Sequence, residues 1–186
     1  MQYQSAPLSF HNVQGDSPMA NDNEAAFDPA PLIDESIRLE LNVGNLYLLF
    51  HDLFPQDAPF WWHLAEEEKN HAALIRSGKE YFAPLDQFPQ GMIHDNISEL
   101  KEANGKVLSI IKECKAHTPS RAEALNFALA IEQSAGECHF QKFMDNKTDS
   151  PIDRIFRELN DGDAAHAKRI TVYMEKNGIS ITPPVM

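Results

Sequence analysis

The residues best suited to chemistry in this sequence occur as two copies of one pattern. Each copy has a Glu in an apolar helical run, then about 30 residues later an acid, two further residues and a His-Ala pair. The six residues are Glu40, Glu68, His71, Glu132, Asp163 and His166. Four carboxylates and two imidazoles suit a pair of divalent transition metals, and the excess of oxygen favours iron or manganese.

The spacing places each acid and its histidine on one helical face. Residues three apart differ by about 300° of rotation and about 4.5 Å of rise, so Glu68 lies beside His71 and Asp163 beside His166. The same stripes otherwise carry apolar residues such as Trp61. Burying an ionised carboxylate is costly unless it is paired or bound to metal. No Lys or Arg on these stripes offers a buried ion pair, so we expect metal ions to compensate the acids.

Neighbouring acids fit a ligand role less well. Glu137 competes with Glu132, but the helical neighbours of Glu137 are polar and indicate an exposed face, whereas those of Glu132 are apolar or small. We therefore choose Glu132. The same test excludes Glu66 and Glu67 as ligands beside Glu68.

Two glycines, Gly44 and Gly136, each follow a candidate ligand Glu by four residues. A close helix crossing would require a glycine there. A small pocket for dioxygen or peroxide beside the metals would require one equally well, and the sequence leaves both interpretations open.

Four helices are predicted to position the candidate ligands. Their approximate ranges are 33–54, 60–77, 120–144 and 151–177, with Gly78 ending the second and a capping box, Ser120 to Glu123, starting the third. A short turn makes the first two antiparallel neighbours. About 40 residues then form a crossover that contains a weaker helix, at about 96–115, interrupted at Asn104-Gly105. No strand-like alternation competes, so the predicted class is all-α.

At these six positions, and in their order, the chain resembles the rubrerythrin and ferritin-like di-iron carboxylate family, as a rubrerythrin-like domain without a rubredoxin module. The resemblance covers about residues 33–177. It implies a ferritin-like four-helix bundle of two antiparallel pairs with a long crossover between helices 2 and 3. It implies one terminal ligand pair per metal, Glu40 with His71 and Glu132 with His166. Glu68 and Asp163 would bridge two iron ions, or two manganese ions.

The resemblance extends to one further residue and fails at two points. Tyr47 matches a tyrosine common in rubrerythrin-like first helices, which implies a hydrogen bond to a bound oxygen species or to a ligand. Asp163 stands where the family usually has Glu, and Ala135 replaces an additional carboxylate of the rubrerythrins. These departures bear on metal stoichiometry and on peroxidase activity.

By resemblance, the expected function is an oxidoreductase that reacts with dioxygen or hydrogen peroxide and receives electrons from an external donor. A ferroxidase or iron-handling protein is the neighbouring alternative. The alternative from another class is a non-catalytic ferritin-like binding or assembly module whose metal site has degraded, with Asp163 as the first sign. The resemblance also implies a homo-oligomer, most simply a dimer.

Length and composition predict the domain organisation. A chain of 186 residues, 42% of them hydrophobic, supports one core of ordinary size. Residues 1–30 are rich in Pro, Asn, Ser and Asp and are expected to form a flexible arm. The bundle is expected at 31–178 and a C-terminal tail at 179–186.

Charge and hydropathy exclude some partners. A net charge of −12 argues against nucleic acid and anionic membranes, because both would repel the surface. No run approaches 18 apolar residues and no basic, apolar leader is present, so neither membrane spanning nor secretion is expected. Cys114 and Cys138 form no C-x-x-C pair, which favours a reducing cytoplasm.

Overall fold

The computed structural model describes residues 28–133, 143, 145, 150–159 and 166–182. Within these ranges the chain is helical and contains no strand, which confirms the all-α class. The helices are α1 Ala30–Leu53, α2 Ala58–Tyr81, α3 Ile97–Ala116, α4 Arg121–Glu132, α5 Pro151–Leu159 and α6 His166–Lys176. The candidate ligand Asp163, Gly136 and almost all of the predicted arm lie outside the described residues. No described helix is both long and apolar enough to cross a membrane.

The helices α1 and α2 form an antiparallel pair that holds much of the core. Lys79, late in α2, pairs with Asp34, early in α1. At the other end, the rings of Trp61 and Phe50 pack with centroids 5.0 Å apart. Both aromatic side chains are fully buried. Burial of each such side chain contributes roughly 1.5–3 kcal/mol, so this pairing is a main source of stability.

Two glycines allow close packing against this pair. A Cβ on Gly44 would lie 3.2 Å from the Cβ of Glu68 and 3.4 Å from the carbonyl oxygen of Ala65, which favours the helix-crossing interpretation of Gly44. A Cβ on Gly78 would lie 2.9 Å from the ring of Phe88. Gly78 therefore admits a neighbouring ring and stays inside α2, so the predicted helix end at this glycine is wrong.

The connection between α2 and α4 contains α3, which packs against α1. Asn96 caps α3 by accepting hydrogen bonds from two backbone N–H groups of the first turn. The buried Asn104 donates to the carbonyl oxygen and to Oε1 of Glu35, at 3.0 and 2.9 Å, and accepts from Asn42 at 2.7 Å. Because α1 satisfies Asn104 and Gly105 is exposed, the helix is continuous and the predicted interruption is wrong.

One buried carboxylate, that of Asp57, joins α2 to α4 and α6. It occupies the N-cap position of α2 but makes no capping hydrogen bond. Instead it accepts from Nε and Nη2 of Arg121, at 2.6 and 2.7 Å, and from the hydroxyl of Tyr173 at 2.6 Å. This cluster fixes the starts of α2 and α4 beside the C-terminal half of α6.

These contacts also set helix directions. Arg121 and Asp57 lie together at the starts of α4 and α2, and eleven residues later the two helices reach Glu132 and Glu68, which both contact His166. The helix α4 therefore runs in the same direction as α2. The helix α6 runs the opposite way, since Tyr173 lies at the Asp57 end.

Replacing Asp57 with Asn should destabilise the protein by about 2 kcal/mol at pH 7, because two hydrogen-bonded contacts to a charged partner are weakened. Burial works to raise the pKa of Asp57, but hydrogen bonds from Arg121 and Tyr173 outweigh it and lower the pKa. A lowered folded-state pKa stabilises the fold above the unfolded value of about 4, and that contribution is lost as pH falls through the folded value.

Urea denaturation of wild type and Asp57→Asn at several pH values measures this effect. The stability gap should narrow as pH drops below about 4. Asp52→Asn, at an exposed position, is the matched control, and its free energy of unfolding should equal that of wild type. A gap for Asp57→Asn that is the same at pH 7 and pH 3 would contradict the assignment.

Candidate metal centre

Four helices, α1, α2, α4 and α6, each contribute to one buried cluster. Five of the six predicted ligands lie in it: Glu40, Glu68, His71, Glu132 and His166. Each is at most 8% exposed. The sixth, Asp163, lies outside the described residues. Acids that were assigned to apolar helical stripes in the sequence are thus buried together in the structure.

Glu68 lies at the centre of the cluster. Its Oε1 is 2.8 Å from Nδ1 of His166, and its Oε2 is 3.3 Å from Nδ1 of His71. Nδ1 of His71 also lies 3.5 Å from Glu40, and Nδ1 of His166 lies 3.4 Å from Glu132. The two imidazoles stack with centroids 5.2 Å apart. One ligand atom from each of Glu68, His71 and His166 lies within 4.8 Å of the other two.

The hydrogen bonding of Glu68 is incomplete. Both carboxylate oxygens are buried, yet neither accepts an aligned hydrogen bond in the described part of the chain, and Oε2 of Glu40 accepts none there either. The 2.8 Å contact with His166 is short, but no ring N–H is directed along it. Removing a carboxylate from water costs several kcal/mol unless a cation or donors compensate. One carboxylate and two imidazoles that lie within reach of one ion, with Glu40 and Glu132 beside the imidazoles, fit a divalent transition metal.

Burial and mutual contact set the protonation of the metal-free cluster. Burial raises the pKa of Glu40 to about 8. The contact with His71 works to lower this pKa, and the negative charge of Glu68 works to raise it. Burial also disfavours a charged His166, but Glu68 and Glu132 outweigh it and raise the pKa of His166 well above its usual value. Against the effect of burial, the two histidines hold the pKa of Glu68 well below its ordinary range. At neutral pH, protons therefore reside on Glu40 and His166 while Glu68 is ionised.

Tyr47 supports one of the candidate ligands. Its ring is fully buried in α1 and packs 5.7 Å from the ring of Trp61. Its hydroxyl donates a hydrogen bond to Oε1 of Glu132. The structure thus places Tyr47 against a candidate ligand, Glu132.

Glu67 reaches the site although the sequence pattern excluded it. Its Oε2 lies 3.2 Å from Nε2 of His166, on the opposite side of the ring from Glu68. Both of its oxygens accept hydrogen bonds from the guanidinium of Arg169. Burial opposes ionisation, but Arg169 and His166 outweigh it and lower the pKa of Glu67 to about 2. A carboxylate behind a metal-binding imidazole fixes the ring and raises its basicity.

The sequence contains a signal for the role of Glu67. Arg169 follows His166 by three residues, on the same face of α6. A cation on the face that carries a buried imidazole needs an acidic partner from a neighbouring helix. The polar neighbours of Glu67 within α2 indicated solvent, whereas α6 covers that side.

Replacing Glu67 with Gln should weaken metal binding by about 10-fold to 100-fold, because the neutral amide supports His166 less well. Chelator competition with Mn²⁺ measures the affinity. Glu66→Gln is the matched control, since Glu66 is half exposed and pairs with Lys69. Equal Mn²⁺ affinities of the two variants would contradict a role of Glu67 in metal binding.

Metal binding at pH 7 should release protons, because Glu40 and His166 must lose theirs to become ligands. Both groups have raised pKa values in the metal-free protein. Metal affinity should therefore rise with pH through neutrality. Calorimetric titrations in two buffers of different ionisation enthalpy count the protons, and identical heats in both buffers would contradict this protonation pattern.

Comparison with known proteins assigns no family to the chain. No protein-family model, no curated protein and no solved structure matches it. The residues and distances of the cluster itself indicate the candidate metal centre.

Proposed function

We propose that the chain is a ferritin-like di-metal carboxylate protein that binds two iron ions, with manganese as the alternative, and acts as an oxidoreductase on dioxygen or hydrogen peroxide. The observation that carries the proposal is the buried Glu68 between Nδ1 of His71 and Nδ1 of His166. Ferritin-like bundles take one Glu from each of two helices and a Glu-x-x-His pair from each of two others, and here Asp163 replaces the second of those Glu residues. Glu40 in α1 and Glu132 in α4 supply the single acids.

The arrangement supports a division of ligands between two ions. Glu40 lies beside His71, and Glu132 lies beside His166, so each imidazole has its own carboxylate. Glu68 contacts both imidazoles, which supports its proposed role as the carboxylate shared by the two ions. In this proposal Asp163 supplies the remaining carboxylate. When bound, the iron pair supplies two electrons that, with two protons, reduce hydrogen peroxide to two waters, and an external donor restores the electrons.

The surrounding residues orient the ligands and exclude water. The hydroxyl of Tyr47 holds Glu132, and Glu67 holds His166. Tyr47 and Trp61 are fully buried beside the cluster, so bulk water does not reach it from that side. A dry, preorganised environment strengthens electrostatic interactions with a bound ion. Ionised carboxylates offset much of the charge of two divalent ions, which lets the site tolerate a change in metal oxidation state.

Replacing Glu68 or His166 with Ala should remove one or both metals. Metal analysis of purified protein measures the occupancy, and the near-ultraviolet absorption of the iron-loaded, oxidised protein reports the coupled pair. Glu66→Ala is the matched control, because it removes a carboxylate from the same helix at an exposed position and should keep full occupancy.

The possible outcomes distinguish the alternative functions of the site. Full metal occupancy in both Glu68→Ala and His166→Ala would contradict the assignment of a metal centre. Metal-poor wild-type protein that fails to oxidise iron with oxygen or peroxide would point to a non-catalytic module. Uptake far beyond two ions per chain would favour iron handling over catalysis.

A further inference from the structure

The outer face of α6 carries an open groove of about 320 Å³. Its lining residues are Lys168, Arg169, Val172, Tyr173 and Lys176. Three of the five are cations, in a chain with a net charge of −12. The groove is therefore a locally positive site on an acidic protein.

The two lysines of the groove present their positive charges to solvent. Lys168 and Lys176 are exposed, and neither forms an ion pair with another residue in the described ranges. They lie eight residues apart with Val172 midway, so all three lie on one stripe of the helix. The helix contains a single acid, Glu175. Cations that flank an apolar side chain and lack acidic partners fit an anion with an apolar part.

The apolar side of the groove is rigid. The ring of Tyr173 stacks on Phe60 with centroids 3.9 Å apart and an interplanar angle of 10°. Its hydroxyl donates to Asp57, which Arg121 also binds. A preorganised wall lowers the entropic cost of binding. The volume lies at the small end of the range for small-molecule sites, which favours a small organic ligand over a macromolecule.

Arg169 connects the groove to the metal centre. Its guanidinium lines the groove and also binds Glu67, whose Oε2 lies 3.2 Å from Nε2 of His166. Arg169 therefore places one end of the groove beside the carboxylate that supports a candidate metal ligand.

We propose that this groove binds a small organic anion, a carboxylate or phosphate ester with an apolar body, through Lys168, Arg169 and Lys176. Because Glu67 already pairs with Arg169, the two lysines supply most of the positive charge that the anion meets.

The anion site is tested on the metal-free full chain, so it does not depend on the proposed function. Calorimetry with phenyl phosphate and with phenylacetate should show saturable binding of one molecule per chain. Lys168→Gln with Lys176→Gln should weaken binding about tenfold or more. Lys101→Gln with Lys112→Gln, at exposed positions of α3, removes the same charge elsewhere and should change nothing. Helical content by circular dichroism checks the fold of both variants.

Each outcome decides the assignment. Absence of saturable binding, or equal weakening by the two double variants, would overturn it. Inorganic phosphate should bind more weakly than phenyl phosphate. Equal affinity of the two anions would show that Val172 and Tyr173 do not contact the apolar part of the ligand. Hexaglutamate binding more tightly than either aromatic anion would replace the small molecule with an acidic protein surface. The ratio of the two aromatic affinities distinguishes a phosphate from a carboxylate ligand.

Discussion

The negative charge of Glu68 is the constraint on which the rest of the structure depends. The side chain is completely buried, and His166 and His71 keep its carboxyl ionised. In the absence of a cation, a proton on His166 partly compensates the charge. A metal ion does so more effectively, because it interacts with several carboxylates at once and needs no aligned donor. Holding an ionised acid in place therefore requires helices that converge on it from several directions.

The packing of the helices answers this requirement. Gly44 lets α1 approach the Cβ of Glu68 and the carbonyl oxygen of Ala65 closely, which a side chain at position 44 would hinder. Far from the cluster, Asp57 binds Arg121 and Tyr173 and so fixes the relative positions of α2, α4 and α6. Glu132 and His166 lie along the helices that this contact holds. An ion pair about eleven residues away thus helps to keep the ligand set together, since helices are stiff over that length.

Much of the site was predictable because its chemistry is periodic along the chain. Acids on apolar stripes are rare, and a three-residue spacing from acid to histidine identifies a helical face. That was enough to select Glu40, Glu68 and Glu132. The sequence misleads where a residue's role depends on a neighbouring segment. Gly78 resembles a helix end but makes room for Phe88, and Asn104 resembles a helix break but donates a hydrogen bond to α1.

Glu67 shows the same limit, and it also breaks the symmetry of the two copies. The corresponding position before Asp163 is Gly162, which has no side chain, and the counterpart of Arg169 three residues after His71 is Leu74. The chain of contacts from Arg169 through Glu67 therefore reaches His166, and the sequence does not repeat it at the equivalent positions around His71. A carboxylate partner raises the basicity of an imidazole. In the proposed pair, Glu67 consequently strengthens His166 as the nitrogen ligand of its metal and connects that ligand to the outer face of α6 through Arg169.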